Sequence, residues 1–142
     1  MKRCLLIGKG DFHSMIEHCR EQYPREACGL LIGRGSRVDR VRPLINVDPR
    51  SNRFWADPDE QLAAFCEIEE RGQDLLAIYH SHPRGQAFPS PTDRNLAYYP
   101  EALSVIIAGP PWPSDPTDGR VGAFCLAGGQ VTRVQMAWIT SG

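Results

Sequence analysis

The chain has 142 residues, 42% of them hydrophobic and 23% charged, a composition close to that of an average globular protein. This length suits a single domain, read here as residues 1–142, with one core and no room for two independent ones. Sixteen Lys and Arg against seventeen Asp and Glu leave a formal charge of −1, so no whole-protein field attracts phosphate backbones or anionic lipid, and neither nucleic acid nor membrane is the expected partner.

Arg3 to Ile7 reads as a short strand. Its four-residue apolar stretch is too short for a signal-peptide core, and nowhere does an apolar run approach the roughly 18 residues of a membrane span, so a cytoplasmic location is expected. Asp11 to Gln22 reads as a helix because Phe12, Met15, Ile16 and Cys19 recur at helical spacing, and Tyr23-Pro24 breaks it. The apolar run from Ala27 to Ile32 and the stretch Arg37 to Ile45 flank the turn Arg34-Gly35-Ser36 and predict a hairpin, although Val38 and Val41 do not alternate cleanly. Asn46 to Arg53 is a polar loop, and Phe54-Trp55-Ala56 is a brief strand candidate. Pro58 opens a helix to about Arg71 with Leu62, Phe65, Ile68 and Glu69 as its stripe, closed by Gly72.

Leu75 to Tyr79 is a continuous apolar run of strand length and predicts a central strand buried on both faces. Ser90-Pro91-Thr92-Asp93 starts another helix, with serine as N-cap and a carboxylate in the first turn. Leu103 to Ala108 is a further strand. Four prolines mark residues 109–119 as a loop, and Val121 to Ala127 pairs with Val131 to Trp138 around Gly128-Gly129. Strands and helices intermix without strict βαβ repetition, which gives the α+β class with a mixed sheet.

The chemistry concentrates in the segment His80 to Asp93. If the strand runs on through His82, its period of two puts His80 and His82 on one face while Ser81 points away. A catalytic metal site of the open kind needs a third donor, and Asp93 supplies one once the loop folds back. Imidazole and carboxylate suit Zn2+, with manganese, iron and cobalt left open by ligand type. Such an ion lowers the pKa of a water from about 15.7 towards about 7 and polarises a carbonyl. Hydrolysis then needs a carboxylate base beside the ion, and Glu26 is the candidate, placed where a helix exits into the strand from Ala27. The hydroxyl of Ser90 could donate to the oxyanion that develops.

Glu26 followed by His80-x-His82-x7-Ser90-x2-Asp93 resembles the motif of the JAMM (MPN+) metalloprotease family, and Pro24 to Gly33 is similar to the block around that family's glutamate. With Asn46 and the aromatic and helix after it, the resemblance spans roughly residues 10 to 139. It implies an α/β/α-like architecture of the JAMM and cytidine-deaminase type, a central mixed, largely antiparallel sheet flanked by helices. It also implies zinc on His80, His82 and Asp93, with Glu26 and Ser90 catalytic. The implied activity is cleavage of isopeptide or peptide bonds, often after the Gly-Gly of a ubiquitin-like protein. The short chain is most similar to compact prokaryotic members associated with sulfur-carrier proteins.

Other readings compete. His80, His82, Ser90, Asp93 and Glu26 could each be ordinary polar or capping residues, and the fold could serve as a metal-free scaffold. A peptidase of cell-wall or phage-tail substrates is a further alternative, and a DNA-repair relative with a similar motif is disfavoured by the missing basic segment. Cys28 invites a thiol hydrolase, but it lies in an apolar stretch with nothing to favour thiolate. The five cysteines, odd in number and without a Cys-x-x-Cys pair, read as reduced packing residues. His13 and His18 read as surface residues, and Trp112 as packing or as part of a lid. The sequence leaves a homodimer open.

Overall fold

The computed structural model describes residues 4–50, 52–91, 93 and 101–139. Along them run β1 (Cys4–Ile7), α1 (Lys9–Gln22), β2 (Cys28–Arg34), β3 (Arg37–Leu44), α2 (Pro58–Glu70), β4 (Asp74–His82), β5 (Leu103–Ala108), β6 (Val121–Ala127) and β7 (Gln130–Trp138). Pro91 and Asp93 are helical, as expected for a helix starting at Ser90; its continuation over 94–100 lies outside the described residues, as do Arg3 and Thr92.

The strands form one mixed sheet in the order β1-β3-β2-β4-β5-β6-β7. β2 pairs antiparallel with β3 and β4, and β6 with β5 and β7; β4 with β5 and β1 with β7 are parallel. The expected mixed, largely antiparallel sheet with helices against it is what forms. Its closure into a barrel was not foreseen, because the join is a single parallel pair, Leu6 with Arg37, too small to leave a pattern in sequence. β4, flanked by β2 and β5, is the central strand that its apolar run predicts.

Opposite faces of the sheet bury different helices. α1 sends Phe12, Met15, Ile16 and Cys19 into a core with Leu31, Ala77, Tyr79, Val105 and Ile107. Ala64 and Ile68 of α2 pack on Cys28, Leu30, Ile32 and Leu44 on the other face. Alternation along β2 and β4 therefore assigns Leu31 and Tyr79 to the α1 side and Cys28, Ile78 and His80 to the α2 side.

Several local expectations change. Leu62 is 65% exposed, and the buried residues of α2 are Ala64 and Ile68. Leu62 lies two residues, about 200°, round the helix from Ala64, so both cannot face the sheet. The strand candidate Phe54-Trp55-Ala56 reduces to one bridge, Asn46 with Ala56. The poor alternation of β3 has a cause in a register shift against β2 between Ile32 and Gly33. His13 is exposed, but His18 is half-buried and pairs with the Tyr79 hydroxyl at 2.7 Å. It follows Met15 by three residues and so flanks the buried stripe of α1. Trp112 packs against the α1-side core and edge-on to Tyr23, at 6.3 Å between ring centroids. Among the described residues, no helix is long and apolar enough to cross a membrane.

Candidate active site

β4 delivers the two histidines as its period of two requires. His80 and His82 are its last alternate residues, both on the α2 face, with ring centroids 4.9 Å apart. Their neighbours fix them differently. His82 Nδ1 bonds the Gln86 carbonyl oxygen at 2.7 Å, so the loop after the strand sets that ring's tautomer and turns Nε2 inward. His80 is stacked on Phe54, at 4.7 Å between centroids and 28° between planes.

Asp93 closes the group from the far side of the loop. Its Oδ2 lies 3.0 Å from His82 Nε2, and its Oδ1 lies 3.6 Å from His80 Nε2. The carboxylate is aimed by a reciprocal cap, in which the Ser90 N–H donates to Asp93 Oδ2 at 2.8 Å and the Asp93 N–H donates to Ser90 Oγ at 3.1 Å. Capping and site geometry are thus one arrangement. Because Ser90 Oγ accepts that bond, its own proton is left for another acceptor.

Glu26 arrives from the residues just before β2 and is buried, only 4% exposed. Its Oε1 faces His80 Nδ1 at 3.2 Å, yet neither atom has a hydrogen-bond partner. Buried polar groups are rarely left this way, so the pair marks a position where a further group belongs. Glu26, His80 and His82 each present a donor atom within 4.8 Å of the others, an array that suits a metal ion.

The protonation of the pair His82 and Asp93 fits the same conclusion. Burial acts against the charged imidazole of His82, but the bonds to Asp93 and Gln86 outweigh it and raise the pKa. Burial likewise opposes ionisation of Asp93, but hydrogen bonding from His82 and the charge of His80 hold its carboxyl down at about 2. With Nδ1–H given to Gln86, the contact between Nε2 and Asp93 needs a proton on Nε2 or a metal ion between the two.

Cys28 lies directly across from His80 in the ladder, on the same face. Burial pushes its thiol up to about 12, with Glu60 and Glu26 adding to the shift, so at neutral pH it is not a thiolate. The rival thiol chemistry has no nucleophile here. The site also borders an apolar cavity of about 430 Å³ lined by residues that include Cys28, Phe54, Ile78, His80 and Leu103.

The profile of the prokaryotic homologs of the JAB domain matches residues 9–121, well over half of the chain. The chain belongs to this family. Within the prokaryotic JAB family it is 40% identical over 127 residues to a probable TtuB-protein conjugate cleaving protease of Thermus thermophilus, covering 89% of this chain and 78% of that one. It is 34% identical over 131 residues to a CysO-cysteine peptidase of Mycobacterium tuberculosis, covering 90% and 87%. A solution structure of a Desulfitobacterium hafniense protein superposes with a TM-score of 0.81 at 33% identity, covering 96% and 94%. These curated relatives are named as a probable protease and a peptidase, and this JAB-domain chain is a hydrolase.

The structure brings Glu26, His80, His82 and Asp93 together and ties Ser90 to Asp93, and it adds supports to which the sequence reading gave no role. Phe54, Ser81 and Asn46 each touch the site or its supports. Asn46 and the aromatic after it entered only as part of the family resemblance, and a serine inside a strand carries no mark.

Proposed function

We propose that the protein is a zinc-dependent hydrolase that cuts the amide or isopeptide bond at the Gly-Gly C-terminus of a ubiquitin-like or sulfur-carrier protein. The observation that carries this reading is the convergence of His80 and His82 Nε2 on the Asp93 carboxylate, with the buried carboxylate of Glu26 on the other side of His80. His80, His82 and Asp93 would hold the ion, which when bound supplies a Lewis acid and a water of lowered pKa.

The chain's own groups do the rest. Glu26 accepts a proton from the attacking water and returns it to the departing amine, so that the carbonyl carbon gains hydroxide and the nitrogen leaves protonated. Burial shields this exchange from bulk solvent, and Glu26 Oε1, which has no hydrogen-bond partner, can accept the proton. Ser90 donates its hydroxyl proton to the carbonyl oxygen as negative charge builds there. The substrate class is supported by relatives named for TtuB conjugates and for CysO-cysteine.

The test is incubation of the protein with β-grasp carrier conjugates, read by mass. Wild type should release the carrier ending in Gly-Gly, Glu26→Gln should keep about one zinc per chain yet lose about 10²–10⁴ in rate, and His82→Ala should lose the zinc. Cleavage by Glu26→Gln at the wild-type rate removes Glu26 from the base role. A wild-type protein that binds no metal when purified without chelator refutes the enzyme reading in favour of a scaffold.

A further inference from the structure

The residue that carries the base has no regular partner for its peptide group. β2 begins only at Cys28, opposite His80, so the peptide joining Glu26 to Ala27 lies at the frayed end of the ladder. Its two polar ends are nevertheless both satisfied, each by a buried side chain. The Glu26 carbonyl accepts from Asn46 Nδ2 at 2.8 Å, and the Ala27 N–H donates to Ser81 Oγ at 2.8 Å. Ser81 also returns its backbone N–H to the Ala27 carbonyl at 3.0 Å.

Each of the two side chains belongs to a segment that also controls a metal-site histidine. Ser81 stands between His80 and His82 on β4, completely buried on the opposite face. Asn46 is 4% exposed and uses its whole carboxamide. Nδ2 donates to the carbonyls of Glu26 and Arg53, and Oδ1 accepts from the N–H groups of Asp48 and Trp55 at 3.0 and 2.9 Å. An amide offers two donors and two acceptor sites, and here none is spare. The residues it ties down at 53 and 55 flank Phe54, the ring stacked on His80. Arg25 reinforces the arrangement by donating to the backbone carbonyls of Asn46 and Asp48.

From this juxtaposition we infer that Asn46 and Ser81 are positioning residues, a two-sided clamp on the Glu26–Ala27 peptide that sets where the Glu26 carboxylate stands relative to His80. The inference rests on the hydrolase reading above and deepens it. Removing either side lets the peptide plane rotate, and a carboxylate displaced by about 1 Å is expected to cost about 10²-fold in rate. Neither residue is among the proposed ligands, so about one zinc per chain should remain bound.

The experiment uses the full chain as Ser81→Ala and Asn46→Ala, each alone and combined with Glu26→Gln. Zinc content, conjugate cleavage and amide hydrogen exchange at Ala27 are measured for each, after a thermal melt shows that the variant is folded. Ser81→Ala deletes one oxygen and is the variant that keeps the test alive should Asn46→Ala fail to fold. Expected are about one zinc per chain, a kcat lower by about 10- to 100-fold with KM unchanged, and faster exchange at Ala27. In the Glu26→Gln background neither change should lower the rate further. A folded Ser81→Ala with kcat within twofold of wild type overturns the inference, and so does an equal loss with and without the Glu26 carboxylate. Absence of cleavage by wild type would instead count against the hydrolase reading, and the clamp would then stand or fall on whether Ala27 exchange accelerates.

Discussion

Gly29→Ala adds a single methyl near the start of β2, directly across from Tyr79. A Cβ built there would meet Tyr79 Cε2, Cζ and the hydroxyl oxygen at 2.3 to 2.4 Å, well inside contact distance. The ring cannot swing away, because Tyr79 is 0% exposed in the α1-side core and its hydroxyl is held by His18 at 2.7 Å. Overpacking of this kind costs about 1–3 kcal/mol. Displacing the hydroxyl from the half-buried His18 leaves the buried Tyr79 oxygen unpaired, a further penalty of about 1–3 kcal/mol. The lower chain entropy of alanine offsets only about 0.4–1 kcal/mol. The net destabilisation is therefore about 1–6 kcal/mol, which lowers Tm by about 4 °C per kcal/mol in a chain of this size. Urea titration and thermal melts against wild type measure it. Gly10→Ala is the matched control, since nothing lies within 4 Å of its Cβ and it sits in the first turn of α1, where alanine should be neutral or stabilising by up to about 1 kcal/mol. Equal stability of Gly29→Ala and wild type, to within about 0.5 kcal/mol, would refute the reasoning.

Burial lowers the pKa of His18, so the unfolded chain takes up its proton first. Its contribution to stability is complete above the unfolded value near 6.5 and declines as pH falls from there to the lower folded value. His18→Gln should flatten that part of the curve of urea midpoint against pH, and an unchanged slope would contradict the assignment. Phe54→Leu removes the ring stacked on His80 while leaving every proposed ligand in place. A loss of about 0.5–1.5 kcal/mol corresponds to zinc binding weaker by about two- to tenfold in a chelator competition, and undiminished affinity would show that the stack does not orient the imidazole.

The sequence exposed the central strand because Leu75 to Tyr79 is apolar without interruption, of strand length and preceded by Gly72, as suits a strand covered on both faces. It exposed the shared face of His80 and His82 for the equally local reason that a strand alternates with a period of two. The helix start at Ser90 was legible because its cap is written in adjacent residues, and the structure shows that this cap also aims Asp93 at both imidazoles. The stripe on α2 was misjudged because Leu62 and Ala64 compete for one face, and side-chain size in a sequence does not say which of them the sheet will meet. His18 was misjudged for a related reason, since its partner, Tyr79, is distant in the chain.

The sequence by itself singled out the candidates, since His80, His82, Ser90 and Asp93 are marked by residue type and by spacing along one strand and one helix start, and Glu26 by its place in the family's motif. Only the tertiary structure decided how Glu26 is brought to His80, because that contact joins residues 54 apart through the pairing of β2 with β4. It decided equally that Asn46 and Ser81 hold the intervening peptide. Hydrogen bonds between segments distant in the chain depend on how the sheet stacks its strands, and no local periodicity records that.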